Sequence, residues 1–198
     1  YKSKKNLMNS FEDFVNKLPF YGTAIMCYDD KNLKLLINKI KTRNIITYSC
    51  KNKKADVLIF DLFQKQMQTS FKLRINNSKI NHSSNYKFTI NAIGNHNILN
   101  ATCSYTIAKG LKISDIKIKQ ALKLYKGVKR RFSIIYNNNS NIIIDDYAHH
   151  PKEILTTINS LKSISKNKII TVFEPHRFSR IKQMKNEFLK CFKLVDSI

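Results

Sequence analysis

The apolar positions along this chain fall into short stretches of alternating period, helical at about 3.6 residues and extended at 2. Phe11, Phe14, Val15 and Leu18 share one helical face. Ser10-Phe11-Glu12-Asp13 before them reads as a capping box, and Pro19 ends the run. Thr23 to Tyr28 is a short strand closed by Asp29-Asp30, and Leu33, Leu36, Ile37 and Ile40 give a second helical stripe. Strands are expected over 44–48, 56–60, 67–75 and 86–91, with a polar turn over 76–85. Helices are expected at 97–109, stopped by Gly110, and at 114–126, capped by Ser114 and stopped by Gly127. Ile118, Ala121, Leu122 and Tyr125 form the inner face of the second of these.

Extended segments follow near 132–136 and 142–145, then a helix opened by Pro151 with Ile154, Ile158 and Leu161 inward. Ile169 to Phe173 reads as another buried strand. A helix from Ser179 carries Ile181, Met184, Phe188 and Val195, and 194–198 opens as a further strand. The order is α, β, α, several β, α, α, then β-β-α-β-α. This is an α/β chain with a linker near 126–131.

Composition sets limits on this picture. With 198 residues and 42% hydrophobic content the chain can bury one or two cores. No apolar run reaches the roughly 18 residues of a membrane span, so no membrane insertion is expected. No signal peptide is evident, and the absence of an initiator Met suggests that Tyr1 is not the natural start. Four scattered Cys without CxxC spacing fit reduced thiols of a cytoplasmic protein. The net charge of +23 comes mainly from thirty Lys spread through the chain, against six Arg. It reads as solvated surface charge rather than a nucleic-acid groove, with polyanion binding kept as an alternative.

The candidate chemistry gathers where apolar runs end. Ile142-Ile143-Ile144 leads into Asp145-Asp146-Tyr147-Ala148-His149-His150-Pro151-Lys152-Glu153. Ile169-Ile170-Thr171-Val172-Phe173 leads into Glu174-Pro175-His176-Arg177-Phe178-Ser179-Arg180. Strand carboxyl ends in α/β sheets open into ligand crevices. Two neighbouring ends would offer Asp, His and Arg to one anionic substrate. Gly94-Asn95-His96-Asn97-Ile98-Leu99-Asn100-Ala101 opens a helix with Asn97 and Asn100 on one side. An Asn amide can both give and take a hydrogen bond, as an adenine edge requires; capping the helix would use the same residues. Gly127-Val128-Lys129-Arg130-Arg131-Phe132 brings paired guanidiniums, which grip phosphate in a fork or stand solvated. Asp145, Asp146, His149 and His150 lack a specified third ligand and are not read as a metal site. No phosphate-cradling Gly-rich loop is present in these residues.

These four motifs, in this order and spacing, resemble the Mur ligase family, most closely its members that join L-alanine to UDP-N-acetylmuramate. The resemblance implies a partial central ATP-binding domain over 1–129 and a partial Rossmann-like C-terminal domain over 130–198. It implies that ATP phosphorylates the muramate carboxylate and that the alanine amine then attacks the acyl phosphate, in peptidoglycan precursor synthesis. His96, Asn97 and Asn100 are implied at the adenine, Arg131 at the phosphates and Asp146 at the ribose. His149, Arg177 and Arg180 are implied at the substrate carboxylates, with His149 and Arg131 the catalytic candidates. Mg²⁺ is implied as cofactor, on ligands outside these residues. Asn95 stands where the family commonly has Arg. The chain is therefore read as a fragment, inactive by itself, with poor stability and exposed sheet edges expected; a degenerate remnant is the other reading.

Overall fold

A computed structural model of the chain describes residues 3–41, 44–77, 80, 87–138 and 140–198. The expected turn at 78–79 and 81–85, Tyr86 and Asn139 lie outside the described residues. Two compact units are present. The first comprises Tyr1–Gln64, Gln68–Ile90 and Asn95–Tyr125; the second comprises Lys65–Met67, Asn91–Gly94 and Lys126–Ile198.

The first unit opens with helix α1 (Lys4–Asn16). Its cap is Ser3, whose Oγ accepts the Asn6 N–H at 3.1 Å, and not Ser10 as the capping box suggested. Ser10 sits inside the helix and donates to the Asn6 carbonyl at 3.0 Å. The face differs accordingly. Met8, Val15 and Leu18 pack towards the buried Ala24, Met26 and Leu36, while Phe14 is 74% exposed. Helix α2 (Lys31–Ile37) is capped by Asp30, whose carboxylate accepts from Asn32 and Leu33 N–H groups.

The sheet of this unit has the order β1 (Ala24–Cys27), β2 (Ile45–Ser49), β3 (Val57–Lys65), β4 (Gln68–Ile75), β5 (Lys87–Ile90). The first three strands are parallel and β4–β5 is antiparallel. A two-residue connection, with Gln66 at φ 52°, joins β3 to β4. Parallel strand ends are tied by side chains. Asp29 accepts from the Ser49 hydroxyl and from Cys50 N–H, and Asp56 accepts from both the backbone and the hydroxyl of Thr47.

Helix α3 (Asn95–Gly110) packs on β1 and β2, and α4 (Asp115–Leu124) on β5. The core between them is aromatic. Phe71 stacks on Phe88 with centroids 5.7 Å apart, and Tyr105 meets Phe88 edge-on at 5.0 Å. Helix α3 ends at Gly110, within one residue of the expected stop, but Lys112 rather than the glycine takes the positive φ, 61°. The α4 face is narrower than expected, since Ile118 is buried but Tyr125 is 55% exposed.

A buried carboxylate links the two helices. Asp115 Oδ1 accepts the Tyr105 hydroxyl at 2.8 Å, and Lys109 Nζ lies 3.2 Å from Oδ2. Removing a hydrogen bond to a buried charged group costs about 1.5–3 kcal/mol. Tyr105→Phe is therefore expected to lower the denaturation free energy by that amount in a urea melt. A loss below about 0.5 kcal/mol would show that the hydroxyl contributes no net stability.

The second unit begins with an antiparallel ribbon of β6 (Ser133–Asn137) and β7 (Ile142–Asp145). Ile142 and Ile143, in the apolar run that leads into the Asp-Asp motif, are 45% and 51% exposed in this two-stranded ribbon. Helix α5 (Pro151–Ile164) buries Ile154 and Ile158 against Ile169, Phe188 and Cys191. The expected strands at 169–173 and 194–198 reduce to one parallel bridge, Ile170 to Ser197. Val172 is 98% exposed, so the run is not a sheet interior. The single expected helix from Ser179 is broken at Met184 into α6 (Phe178–Gln183) and α7 (Lys185–Cys191). Ile181, Met184 and Val195 nevertheless pack on this core as their spacing predicts.

Candidate functional site

The segment after β7 is folded back on itself by its own polar groups. Asp146 Oδ1 accepts Ala148 N–H at 2.8 Å. Its Oδ2 accepts Phe132 N–H at 3.1 Å and the Thr157 hydroxyl at 3.0 Å. The Tyr147 N–H donates to the Arg130 carbonyl at 2.7 Å. The Arg130 guanidinium lies 3.3 Å from Asp145 and covers the Tyr147 ring at 5.0 Å. The Arg-Arg and Asp-Asp motifs, 15 positions apart, are thus one local structure.

The two histidines divide their work. His150 is the N-cap of α5, its Nδ1 accepting Lys152 N–H at 3.3 Å, with Pro151 behind it at the first helical position. His149 Nδ1 lies 2.8 Å from the Tyr147 carbonyl oxygen. A proton on Nδ1 satisfies that oxygen and leaves Nε2 as the other ring nitrogen. The His149 ring is 6.0 Å from His176, and Arg180 Nη1 donates to the His149 carbonyl at 3.4 Å. The second motif therefore meets the first, although their parent segments are not paired strands. Arg177 is exposed at φ 66° and immediately precedes α6 as its N-cap residue. It is not drawn into this hydrogen-bonded group.

Glu153 was not singled out by sequence. It sits at the third position of α5 and accepts the His149 N–H at 3.2 Å. Its other oxygen is 4.0 Å from Arg131. Burial alone would raise its pKa, but the His149 N–H, the His149 imidazole and the Arg131 guanidinium hold it below the usual carboxylate range. A depressed folded pKa gives stability that is complete above the unfolded value, about 4.3, and is lost as pH falls through the folded one. The melting temperature gap between the native chain and Glu153→Gln is therefore expected to be full at neutral pH and to close on acidification. A gap that stays constant down to about pH 3 would exclude this linkage.

In the first unit His96, Asn97 and Asn100 fall in the opening turns of α3, with His96 and Asn97 half-buried and Asn100 exposed. The helix follows Gly94 at φ 88°. The four cysteines are free, as expected of reduced thiols. Burial, then the Asp29 carboxylate, pushes the Cys50 thiol up to about 12, which suits an inert side chain rather than a nucleophile. Among the described residues no group of three or more His, Cys, Asp or Glu is arranged to hold a metal ion. No described helix is long and apolar enough to cross a membrane.

Against known proteins, residues 1–108 match the model of the Mur ligase middle domain, and residues 130–198 match the Mur ligase glutamate ligase domain. The chain belongs to the Mur ligase family. It is 38% identical over 199 aligned residues to the UDP-N-acetylmuramate–L-alanine ligase of Rhodopseudomonas palustris (strain BisA53), covering 100% of this chain and 42% of that protein. The same named ligase of Pelagibacter ubique (strain HTCC1062) is also 38% identical, over 100% of this chain and 43% of its own length. The chain thus spans less than half the length of these curated relatives. Among solved structures, the UDP-N-acetylmuramate–alanine ligase of Thermotoga maritima superposes with a TM-score of 0.73 at 24% identity, over 98% of this chain and 40% of that one. MurF ligase of Thermotoga maritima in complex with ADP gives 0.73 at 16% identity, over 98% and 43%. At these identities the structures speak for the α/β Mur ligase fold.

Proposed function

We propose that this chain supplies part of an ATP-dependent ligase that joins L-alanine to UDP-N-acetylmuramate in the cytoplasm, for peptidoglycan precursor synthesis. Residues 1–129 are proposed as the later part of the central ATP-binding domain and 130–198 as the first part of the Rossmann-like C-terminal domain. The observation that carries this reading is the single polar group that Arg131, Asp146, His149 and Arg180 form around α5, in a chain 38% identical to ligases of that name.

The proposed chemistry has two steps. A carboxylate oxygen of the muramate takes the γ-phosphoryl group of ATP, releasing ADP. The alanine amine then adds to the acyl carbon, phosphate departs with its electron pair, and the nitrogen loses a proton as the amide forms. Little covalent work falls to the protein in phosphoryl transfer; position and charge matter most. Arg131, 51% exposed and only distantly paired to Glu153, is proposed to reach the phosphates. Its fixed, always charged fork suits developing phosphoryl charge. His149, Arg177 and Arg180 are proposed to hold the carboxylates of the two acceptor substrates. His96, Asn97 and Asn100 are proposed at the adenine. Asp146 is proposed at the ribose, since its three bonds leave one of about four acceptor positions open.

The test is ADP release by the full gene product carrying this chain. Release should require both UDP-N-acetylmuramate and L-alanine. Release that ignores L-alanine, or that prefers another amino acid, would exclude the proposed substrate pair.

A further inference from the structure

Arg131 stands between two residues in a conformation that side chains rarely adopt. Arg130 has φ 58° and Phe132 has φ 51°, and neither is glycine. A Cβ makes that region costly, so such a turn persists only where its surroundings hold it, and it recurs at functional sites. Here the surroundings are identifiable. The Arg130 carbonyl takes the Tyr147 N–H at 2.7 Å, and the Phe132 N–H is taken by Asp146 Oδ2 at 3.1 Å. The same oxygen receives the Thr157 hydroxyl at 3.0 Å from the second turn of α5, and Oδ1 receives Ala148 N–H at 2.8 Å. One carboxylate joins the turn, the loop and the helix.

We propose that Asp146, beyond any contact with a ribose, is a positioning residue that holds the 130–132 turn in place and thereby presents Arg131 to phosphate. This rests on the proposal that Arg131 binds nucleotide phosphate. The residue type fits the task. An ionised carboxylate accepts at both oxygens, whereas an Asn would turn an NH₂ towards one of the donors it must receive. Thr157 supports the carboxylate from a helix, and no substrate contact is assigned to it. It therefore separates bracing from ribose binding.

The experiment measures the affinity of the full gene product for ATP and for inorganic tripolyphosphate, which has no ribose. Asp146→Asn is expected to weaken both about tenfold and Thr157→Val about threefold. Thr157→Ser keeps the hydroxyl and should restore the native values. Neither Asp146→Asn nor Thr157→Val should weaken tripolyphosphate further in an Arg131→Gln background, which general unfolding would not produce. Amide exchange reads the turn independently of any ligand: the Phe132 N–H should lose protection in Asp146→Asn and in Thr157→Val. Unchanged Phe132 protection in Asp146→Asn overturns the bracing role. So does a loss of ATP affinity with tripolyphosphate unaffected, which leaves a ribose contact alone. If Arg131→Gln itself leaves both affinities unchanged, the phosphate role of Arg131 fails, and the Phe132 amide still decides whether the brace exists.

Discussion

Arg131→Gln in the full gene product is expected to lower kcat/KM for substrate-dependent ADP release by about 100-fold or more. Removing one preorganised partner of developing charge in an enclosed site costs about 2.7–4 kcal/mol, which is a factor of that size. The same change should hardly touch stability. Arg131 is 51% exposed and its pairing with Glu153 is 4.0 Å long, and exposed ion pairs contribute about 0–1 kcal/mol. Arg131→Lys should recover only part of the rate, because an ammonium cannot reproduce the two-pronged geometry. Steady-state ADP release and a thermal melt on the same preparations separate the two effects. A rate within threefold of native, or a rate loss that merely tracks a lost fold, would remove Arg131 from the phosphate site.

That prediction draws on motifs legible in the sequence, but their geometry was legible only in part. The inward face of α5 followed from Ile154, Ile158 and Leu161 at helical spacing, and Pro151 marked its first turn. Asp30 was read only as the close of a strand, yet it also caps α2. Spacing misled where two residues could do the same job. Ser3 and Ser10 both precede acceptable helical sequence, and the packing of Met8, Val15 and Leu18 favours the longer helix that starts at Ser3. Gly110 marks the end of α3 as its position suggested, but the left-handed conformation falls two residues later, at Lys112. The apolar run 169–173 has strand composition, but a strand is defined by its partners, and among the described residues the run shows one isolated bridge, with Val172 98% exposed.

The brace beneath Arg131 left no sequence signal. Positive φ at Arg130 and Phe132 is imposed by bonds from residues 14 or more positions away, on side chains that do not prefer it. Glu153 did leave one. Glu in the first turn of a helix opened by Pro is a pattern legible in sequence, because a carboxylate there faces free helix N–H groups. What the pattern could not convey is that the same carboxylate also faces Arg131.

Phe88→Ala is expected to be the most destabilising single change in the first unit, at about 3–5 kcal/mol. Phe88 is fully buried, as are Phe71 and Tyr105, and it is the ring that both of the others touch. Truncation forfeits the transfer free energy of the ring and about 0.5–1.5 kcal/mol for each aromatic contact beyond area burial. It also opens a cavity between β4, β5 and α3, which the β4–β5 ladder keeps from collapsing fully. For a unit of this size the melting temperature should fall by roughly 10–20 °C. Phe20→Ala is the matched control, since Phe20 is 91% exposed and its loss should stay within about 0.5 kcal/mol. Urea denaturation of the two variants decides the matter. Equal losses would mean that this aromatic cluster is not the core around which the unit folds. A loss confined to Phe88→Ala would show that the sheet positioning α3, and with it His96, Asn97 and Asn100, depends on the contact of Phe71 and Phe88, from β4 and β5, with Tyr105 of α3.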